Sequence, residues 1–386
     1  MMQGAILGGG TLLAKVILLA LLLWSVLLFI KCISYRTLPQ SLRIGAILVC
    51  SFVIYGLFPI AGNEYLVVKS SGTLVPPFSY MKGALMSITP IYAFYYYARS
   101  NGINTVDIRW LSMAFLCIAI VDFYYSRDNL LAEAMASGSN REEFTNNVGY
   151  VFLGLFPYVY YLNRKYALPY LAIIVFFIVS AMKRGAVLIG LVCVFVYLYH
   201  WLKDTRGSKR IIALVGILSV LLLAGIFILN FYENSMYFQA RVDQTLEGNL
   251  SGRDKIAESM VSYYFKEATF LEMIFGCGAN GTLKHASNYA HNDWLEMLMN
   301  QGLVGVVIQL LFYSALFFDF RRIAKIDKTF YYAAMTLFII VFFKTMFSMS
   351  ICNMRPEISL IMGFVLSIRT NPHLLYENRG CRAISR

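Results

Sequence analysis

Long apolar runs alternate with short polar connections along almost the whole chain. Runs such as 11–30, 44–60 and 211–229 are about long enough to cross the hydrocarbon core of a bilayer. The pattern therefore predicts an all-α polytopic membrane protein with about eleven transmembrane helices. We place these predicted spans at residues 11–30, 44–61, 83–98, 110–125, 148–162, 167–181, 185–202, 211–230, 292–318, 331–350 and 358–368.

The spans divide the chain into three parts. Residues 1–230 hold transmembrane helices 1–8, residues 231–290 form one long loop, and residues 291–386 hold the remaining helices and a polar tail. A structureless loop of about sixty residues is uncommon, so we expect the loop to be folded and to contain short helices. Apolar residues recur at helical spacing between Arg253 and Ala268, which predicts a helix there.

Composition supports a membrane protein. The 386 residues are 59% hydrophobic and 14% charged, whereas a soluble domain is closer to half apolar and a quarter charged. The net charge of +12 suggests nucleic acid only for a soluble chain. Here 19 of the 33 lysines and arginines fall in alternate short connections and the C-terminal tail. The positive-inside rule places those connections in the cytoplasm and the N-terminus outside, and we expect no nucleic-acid partner.

The seven cysteines and the acidic residues predict no metal site. The sequence contains neither a Cys-x-x-Cys pair nor an Asp-x-Asp pair. Cys277 and Cys352 both fall on the predicted outer side, and a disulfide between them remains open, because connectivity cannot be read from sequence. The segment 276–281 matches the glycine spacing of a dinucleotide-binding turn, but no strand–helix–strand unit surrounds it, so we reject that function.

The chemistry concentrates at residues 289–298, directly before a long apolar run. His291, Asp293 and Glu296 lie here at the mouth of a predicted span, where ionisable groups are costly and are functional candidates. Histidine titrates near neutral pH and can take a proton from an attacking hydroxyl. The alternative is a structural histidine. Glu296 falls on a different helical face from His291, so the spacing predicts no His–carboxylate pair.

Two basic turns lie on the predicted outer side. Lys183 and Arg184 precede Gly185 in a tight turn between two spans, against the charge rule. They act either as snorkelling side chains or as an anion clamp, and we favour the clamp. Arg253 falls in the first turn of its predicted helix, which the helix dipole disfavours for a cation, so we expect a ligand there. Arg355 is either a turn residue or a substrate contact.

Taken together, these stretches resemble the signature of the bacterial O-antigen ligase and O-antigen polymerase (Wzy-type) superfamily. The resemblance rests on 291–296 (His-Asn-Asp-Trp-Leu-Glu) followed by 302–305 (Gly-Leu-Val-Gly). Three further stretches fit it, namely Lys-Arg-Gly at 183–185, Ser-Gly-Arg at 251–253 and Phe-Gly-Cys-Gly at 275–278. It covers about residues 180–310.

The resemblance implies a membrane glycosyltransferase of the GT-C type. Its donor is a sugar chain on undecaprenyl pyrophosphate, and no cofactor or metal is implied. His291 positions or deprotonates the acceptor hydroxyl, while arginine forks suit the anionic pyrophosphate. The implied catalytic residues are His291, Arg253 and Arg184, and the implied substrate-binding residues are Lys183, Arg241, Asn292 and Arg355.

Within this superfamily we favour an O-antigen or capsule repeat-unit polymerase over a ligase that transfers the chain to lipid A–core. The resemblance implies the bacterial inner membrane, lipopolysaccharide or O-antigen biosynthesis and a periplasmic active site. Besides the lipid-linked oligosaccharide and membrane lipid, partners include a chain-length regulator and the flippase of the same pathway. A flippase function for the chain itself is less favoured, since only Lys15, Asp122 and Lys344 lie within or near predicted spans.

Overall fold

The computed structural model describes residues 11–57, 66–68, 72–76, 78–100, 102–136, 146–205, isolated positions between 207 and 243, 253–286 and 288–370. In chain order, the described elements are α1 (Leu12–Ile33), α2 (Gln40–Leu57), β1 (Leu66–Val68), β2 (Thr73–Val75), α3 (Phe78–Arg99), α4 (Thr105–Ala136), α5 (Gly149–Leu155), a 3-10 helix (Phe156–Tyr161), α6 (Arg164–Ser180), α7 (Arg184–Asp204), α8 (Arg253–Lys266), α9 (Phe270–Phe275), α10 (Thr282–His285), α11 (Asp293–Ile323), α12 (Lys328–Phe347), a 3-10 helix (Ile351–Asn353) and α13 (Pro356–Thr370).

The helical content confirms the predicted class, an all-α membrane protein. Among the described residues, five helices are long and apolar enough to cross a membrane. The strands β1 and β2 form a small antiparallel hairpin that pairs Leu66 with Val75. Most of the predicted span 211–230 lies outside the described residues, so the number of spans stays a prediction. These five helices are Leu12–Ile33, Gln40–Leu57, Arg184–Lys203, Asp293–Ile323 and Lys328–Phe347.

The predicted span at 148–162 is not one continuous α-helix. Helix α5 ends at Leu155, and the chain continues as the 3-10 helix Phe156–Tyr161. Pro157 lies at the start of that 3-10 helix. Proline has no N–H to donate, which removes a bond of the α-helical ladder and favours a change of helix type there.

The predicted span at 292–318 is not one straight helix, because Gly302 interrupts α11 with φ +63° and ψ −157°. The rings of Trp294 and Tyr313 have centroids 6.1 Å apart. Along a straight helix these residues would be separated by about five turns and about 28 Å. The segment before Gly302 therefore folds back beside the segment after it, and we call residues 293–301 the half-helix.

The core lies where α3 and α13 pack closely, with α2, α11 and α12 around them. A Cβ added at Gly363 of α13 would lie 2.6 Å from the carbonyl oxygen of Ile91 in α3, so only glycine permits this approach. Several polar groups in the core are hydrogen-bonded, as burial favours. The hydroxyl of Tyr92 donates to the carbonyl of Leu42 at 2.5 Å.

At the end of the bundle remote from His291, Asp319 joins three helices. The Asp319 carboxylate is fully buried. It accepts hydrogen bonds from the N–H of Ser41 at 2.9 Å and from the hydroxyl of Ser41 at 2.7 Å. It also accepts from the guanidinium of Arg369. Several connections that the charge pattern assigns to the cytoplasm, those around residues 40, 323 and 370, therefore share one end of the molecule.

The disulfide left open by the sequence is not formed. Cys277 and Cys352 are both free thiols. The sulfur of Cys277 lies 3.7 Å from the hydroxyl of Tyr263. Cys352 packs beside Gly83 of α3, in a different hydrophobic cluster. Burial raises the pKa of the Cys277 thiol, which disfavours the reactive thiolate.

Candidate functional site

His291 lies between α10 and the N-terminus of α11 in a backbone conformation uncommon for a side-chain-bearing residue, with φ +53°. Burial, followed by the charges of Arg253 and Lys183, lowers the pKa of His291 below its ordinary value of 6.5. The structure thus brings together three residues that the sequence separates by long intervals. A lowered pKa keeps the imidazole neutral near pH 7, the form that accepts a proton.

The residues on either side fix the position of His291. Asn292 is the N-cap of α11, and its Oδ1 accepts from the N–H of Trp294 at 2.9 Å and of Leu295 at 3.2 Å. On the other side, the N–H of Ala290 donates to Glu296 Oε1 at 2.5 Å. Asn292 Oδ1 is thus used by the helix, and the substrate contact predicted for Asn292 falls to its amide NH2 group.

The carboxylate of Glu296 organises the loop before His291. Besides the bond from Ala290, it accepts from the hydroxyl of Thr282 at 2.8 Å and from Asn300 Nδ2 at 3.3 Å. Glu296 is only 6% exposed. These three bonds tie Glu296 to α10, to the residue before His291 and to the half-helix.

Asp293 and Trp294 fasten the N-terminus of α11 to the end of α12. The Asp293 carboxylate accepts from the N–H of Ser350 at 2.8 Å and of Ile351 at 3.0 Å. The indole N–H of Trp294 donates to the hydroxyl of Thr345 at 2.9 Å. These bonds fix the end of the half-helix that carries His291 against the segment after α12.

The C-terminal end of α12 binds Arg253, the first residue of α8. Arg253 Nη1 donates to the carbonyl of Phe347, the last residue of α12, at 3.0 Å. The end of a helix carries partial negative charge, which suits a cation. A guanidinium has five N–H donors in a fixed fork, so several remain for an anionic ligand.

The Lys-Arg-Gly turn meets Arg253 through shared neighbours. A Cβ added at Gly185 would lie 2.5 Å from the hydroxyl of Tyr150 and 2.8 Å from Phe347 Cβ. Tyr150 is within electrostatic range of Arg253, and Phe347 provides the carbonyl that binds Arg253. Glycine at position 185 therefore lets the start of α7 approach the site.

Within that turn, the structure distinguishes Lys183 from Arg184. Lys183 is the N-cap residue of α7, preceded by Met182 in a left-handed conformation with φ +50°. Its charge acts on His291. Arg184 is the first residue of α7. The resemblance implies a catalytic role for Arg184 and a substrate-binding role for Lys183. In the structure it is the charge of Lys183 that helps to lower the pKa of His291.

Arg355 has other electrostatic neighbours than His291. It precedes α13, and its charge acts on Asp122, Lys344 and Glu357. Its substrate contact stays a prediction. Arg241, the other predicted substrate contact, lies outside the described residues.

Sequence reasoning assigned no role to Lys344, although an intramembrane lysine is a functional candidate by default. Its ammonium donates to the carbonyl of Asn353 at 3.3 Å and lies 5.4 Å from the centroid of the Tyr150 ring. The expectation that charge collects outside the spans also needs correction. Buried positions in the helices include Asp293, Glu296, Asp319, Lys344 and Glu357.

The glycine-rich turn at 276–281 pairs with the kink of α11. The N–H of Cys277 donates to the carbonyl of Met299 at 2.8 Å, and the N–H of Gly278 donates to that of Asn300 at 3.1 Å. The break at Gly302 frees those carbonyls from the helical ladder. The turn thus satisfies backbone groups of the half-helix and is part of the site's scaffold.

The described residues contain no group of three or more His, Cys, Asp or Glu side chains that could hold a metal ion. His285 stacks on Tyr263 with ring centroids 3.5 Å apart, and His200 stacks on Tyr332 at 3.8 Å. These two histidines therefore pack against aromatic rings, as structural residues do.

No curated protein sequence matches the chain. A family model does match, over less than half of the chain, in the region that holds Lys183, Arg184, Arg253 and His291. The match indicates a function of the O-antigen ligase or polymerase type. Residues 169–312 match the Wzy_C family, described as O-antigen ligase, and this confirms the resemblance to the O-antigen polymerase and ligase superfamily.

Proposed function

We propose that the protein is an O-antigen or capsule repeat-unit polymerase, an integral membrane glycosyltransferase. It transfers a glycan from undecaprenyl pyrophosphate to a sugar hydroxyl of the acceptor. The observation that carries this proposal is the juxtaposition of His291 with Arg253 and Lys183, at one end of a bundle of apolar helices. Pyrophosphate is an anionic leaving group. Its displacement is favoured by cations that stabilise its negative charge, beside a base that takes the proton of the acceptor hydroxyl.

In the proposed reaction the acceptor oxygen attacks the anomeric carbon of the donor sugar. The bond from that carbon to the pyrophosphate oxygen breaks, and the lipid pyrophosphate leaves with the bonding electrons. His291 takes the proton of the acceptor hydroxyl. Arg253 and Lys183, with Arg184 beside them in the turn, neutralise the charge that develops on the leaving group.

The charge pattern supports a location for the proposed site. The basic connections around residues 40, 323 and 370 share the end remote from His291. By the positive-inside rule that end faces the cytoplasm, which favours a position of His291 at the periplasmic face of the inner membrane. A lipid-linked donor in the outer leaflet then presents its pyrophosphate at the level of the cations.

A ligase is the second candidate, favoured by the description of the matching family as O-antigen ligase. It uses the same donor chemistry and differs in its acceptor, lipid A–core in place of another repeat unit. The proposed roles of His291, Arg253 and Lys183 are the same in both.

A deletion strain separates the two functions. We expect surface glycan gels to show lipid A–core carrying a single repeat unit, as loss of a polymerase predicts. Bare lipid A–core with long chains accumulated on undecaprenyl pyrophosphate identifies a ligase instead. Extraction of the lipid-linked intermediates from the same cells provides the comparison. An unchanged ladder contradicts both functions in this pathway.

The lowered pKa of His291 predicts a pH dependence. A base must be unprotonated, so transfer should fall as the pH drops through the pKa of His291, below 6.5. Lys183→Gln removes a positive charge that lowers this pKa. The pKa should therefore rise, and the acidic limb of the kcat/KM profile should move to higher pH.

The control for this shift is Lys255→Gln, which removes an exposed charge from the same helix as Arg253. Its acidic limb should coincide with that of the unmodified protein. A limb that stays in place in Lys183→Gln would contradict the assignment of His291 as the titrating base.

A further inference from the structure

A cavity lies beside the chain segment that carries His291, and its described lining includes neither Arg253 nor Lys183. It has a volume of about 520 Å³, within the range of about 300–1,000 Å³ typical of ligand sites. The hairpin β1–β2, helix α3, the half-helix and the segment after α12 enclose it, and we call it the hairpin cavity. Residues that carry its chemistry are Tyr80, Asn280, Tyr289, Asp293, Glu296 and Asn353.

The described lining of the hairpin cavity is mostly apolar, and its described residues include no lysine or arginine. Asp293 and Glu296 line it as well, and their carboxylates already accept bonds from the backbone N–H groups of Ser350 and Ala290. An apolar wall without cations disfavours an anionic pyrophosphate and suits the C–H faces of a sugar.

The phenols of Tyr80 and Tyr289 supply rings with a polar edge, suited to a ligand that has both C–H faces and hydroxyls. Tyr80 is held in place, since its hydroxyl accepts from Gln301 Nε2 at 3.0 Å. The amide side chains of Asn280 and Asn353 add both donors and acceptors. This combination fits an uncharged saccharide.

The cavity is next to the base. Tyr289 and Asp293 both line it, and His291 lies between them in the chain. The backbone on both sides of His291 is fixed by the bonds to Glu296 and by the Asn292 cap. A saccharide bound in the cavity therefore lies next to the chain segment that carries the imidazole.

We propose that the hairpin cavity binds the terminal, uncharged saccharide of the acceptor glycan. This inference rests on the proposed function and assigns the two substrates to opposite sides of His291. The lipid pyrophosphate of the donor binds Arg253 and Lys183, and the acceptor sugar binds the hairpin cavity.

The experiment uses full-length protein and two probes. One is the lipid-free repeat-unit oligosaccharide released from the host's surface glycan by mild acid, and the other is inorganic pyrophosphate. Leu74→Trp fills the mouth of the cavity from an exposed position of β2, and Asn353→Ala removes an amide. Asn353→Ala should raise the acceptor KM about tenfold, as for one lost hydrogen bond. Leu74→Trp should also raise the acceptor KM, because the larger side chain blocks the mouth of the cavity. The donor KM and inhibition by pyrophosphate should not change.

Matched controls are Leu74→Ala, which opens the same position, and Asn163→Ala, which removes an exposed asparagine at the start of α6. Both should keep the acceptor KM. Arg253→Gln should show the reverse pattern, with weaker inhibition by pyrophosphate and unchanged binding of the oligosaccharide by saturation-transfer NMR. Thermal unfolding of each variant checks that the fold is retained.

The two proposals fail separately. An unchanged acceptor KM in folded Leu74→Trp and Asn353→Ala overturns the cavity assignment while transfer itself is retained. NMR binding of the oligosaccharide that both variants weaken, in a protein that transfers no glycan, supports the cavity and overturns the proposed function. Absence of oligosaccharide binding in the unmodified protein overturns the cavity assignment.

Discussion

Replacing His291 with asparagine should reduce glycosyl transfer by about 10²–10⁴-fold, the usual contribution of a general base. Asparagine adopts left-handed backbone conformations more readily than most residues, so it is compatible with the φ of +53° observed here. It keeps a hydrogen-bonding side chain but accepts no proton near neutral pH. The loss should therefore appear in kcat, with the protein folded and present in the membrane.

The measurement is transfer from the lipid-linked donor in proteoliposomes containing equal amounts of protein. His291→Gly is a second variant, because glycine has no steric cost at positive φ and should be at least as stable as the histidine form. His285→Asn is the matched control, a histidine in the same loop that stacks on Tyr263. It should keep a transfer rate close to that of the unmodified protein.

Near-normal transfer in folded His291→Asn would show that His291 is not the general base. The cations would then carry the whole reaction by neutralising the leaving group. Loss of folded protein in both His291→Asn and His291→Gly would instead show a structural role, which the positive φ argues against.

The sequence predicted the parts of the site that depend on composition and local order. One unusual feature is a histidine directly before an apolar run. The other is basic residues in turns on the predicted outer side, against the positive-inside rule. Both features can be identified without a structure. In the structure the charges of Arg253 and Lys183 act on His291, and the roles of the three residues stay predictions. The helix from Arg253 was also predictable, since its apolar residues recur at helical spacing.

The fold of α11 was not predictable from hydrophobicity. Residues 303–318 are mostly apolar, and hydrophobicity alone does not show where the helix that contains them bends. The reversal depends on a single backbone conformation at Gly302 and on carbonyls that only a distant turn can satisfy. Asn292 is different: an asparagine directly before a helix is a common N-cap, so its role was visible in the sequence.

The buried carboxylates were misjudged for a related reason. Asp293 and Glu296 looked like chemistry because they flank the histidine. In the fold their oxygens accept backbone and side-chain bonds from Ser350, Ile351, Thr282 and Ala290. These two carboxylates therefore stabilise the loop through hydrogen bonds. Only the three-dimensional structure identifies the donors of those bonds.

Gly302→Ala should abolish accumulation of the folded protein. Position 302 has φ +63° and ψ −157°, a region that is essentially limited to glycine. An added Cβ would lie 2.4 Å from the carbonyl oxygen of Ile274 and 2.6 Å from the N–H nitrogen of Gly276. Both atoms belong to backbone, so neither can move aside as a side chain can.

Gly302→Ala should lower the free energy of unfolding through two effects, the steric overlap of the new Cβ and a backbone strain of about 1–3 kcal/mol. The free energy of unfolding of a domain is only about 5–15 kcal/mol. Two controls separate these contributions. Gly72→Ala has a similar φ, +67°, with no atom within 4 Å, so it tests strain alone. Gly190→Ala lies in α7 with its nearest neighbour at an ordinary 3.4 Å and should be tolerated.

Membrane levels and detergent-extracted size-exclusion profiles of the three variants give the comparison. We expect only Gly302→Ala to lose the monodisperse peak, because it alone combines a forbidden conformation with a backbone clash. If Gly302→Ala instead stays folded and active, residues 293–301 do not fold back. In that case a straight α11 would carry Trp294 about 28 Å from Tyr313. Asp293 would then lose the N–H donors of Ser350 and Ile351, and the site around His291 would need a different scaffold.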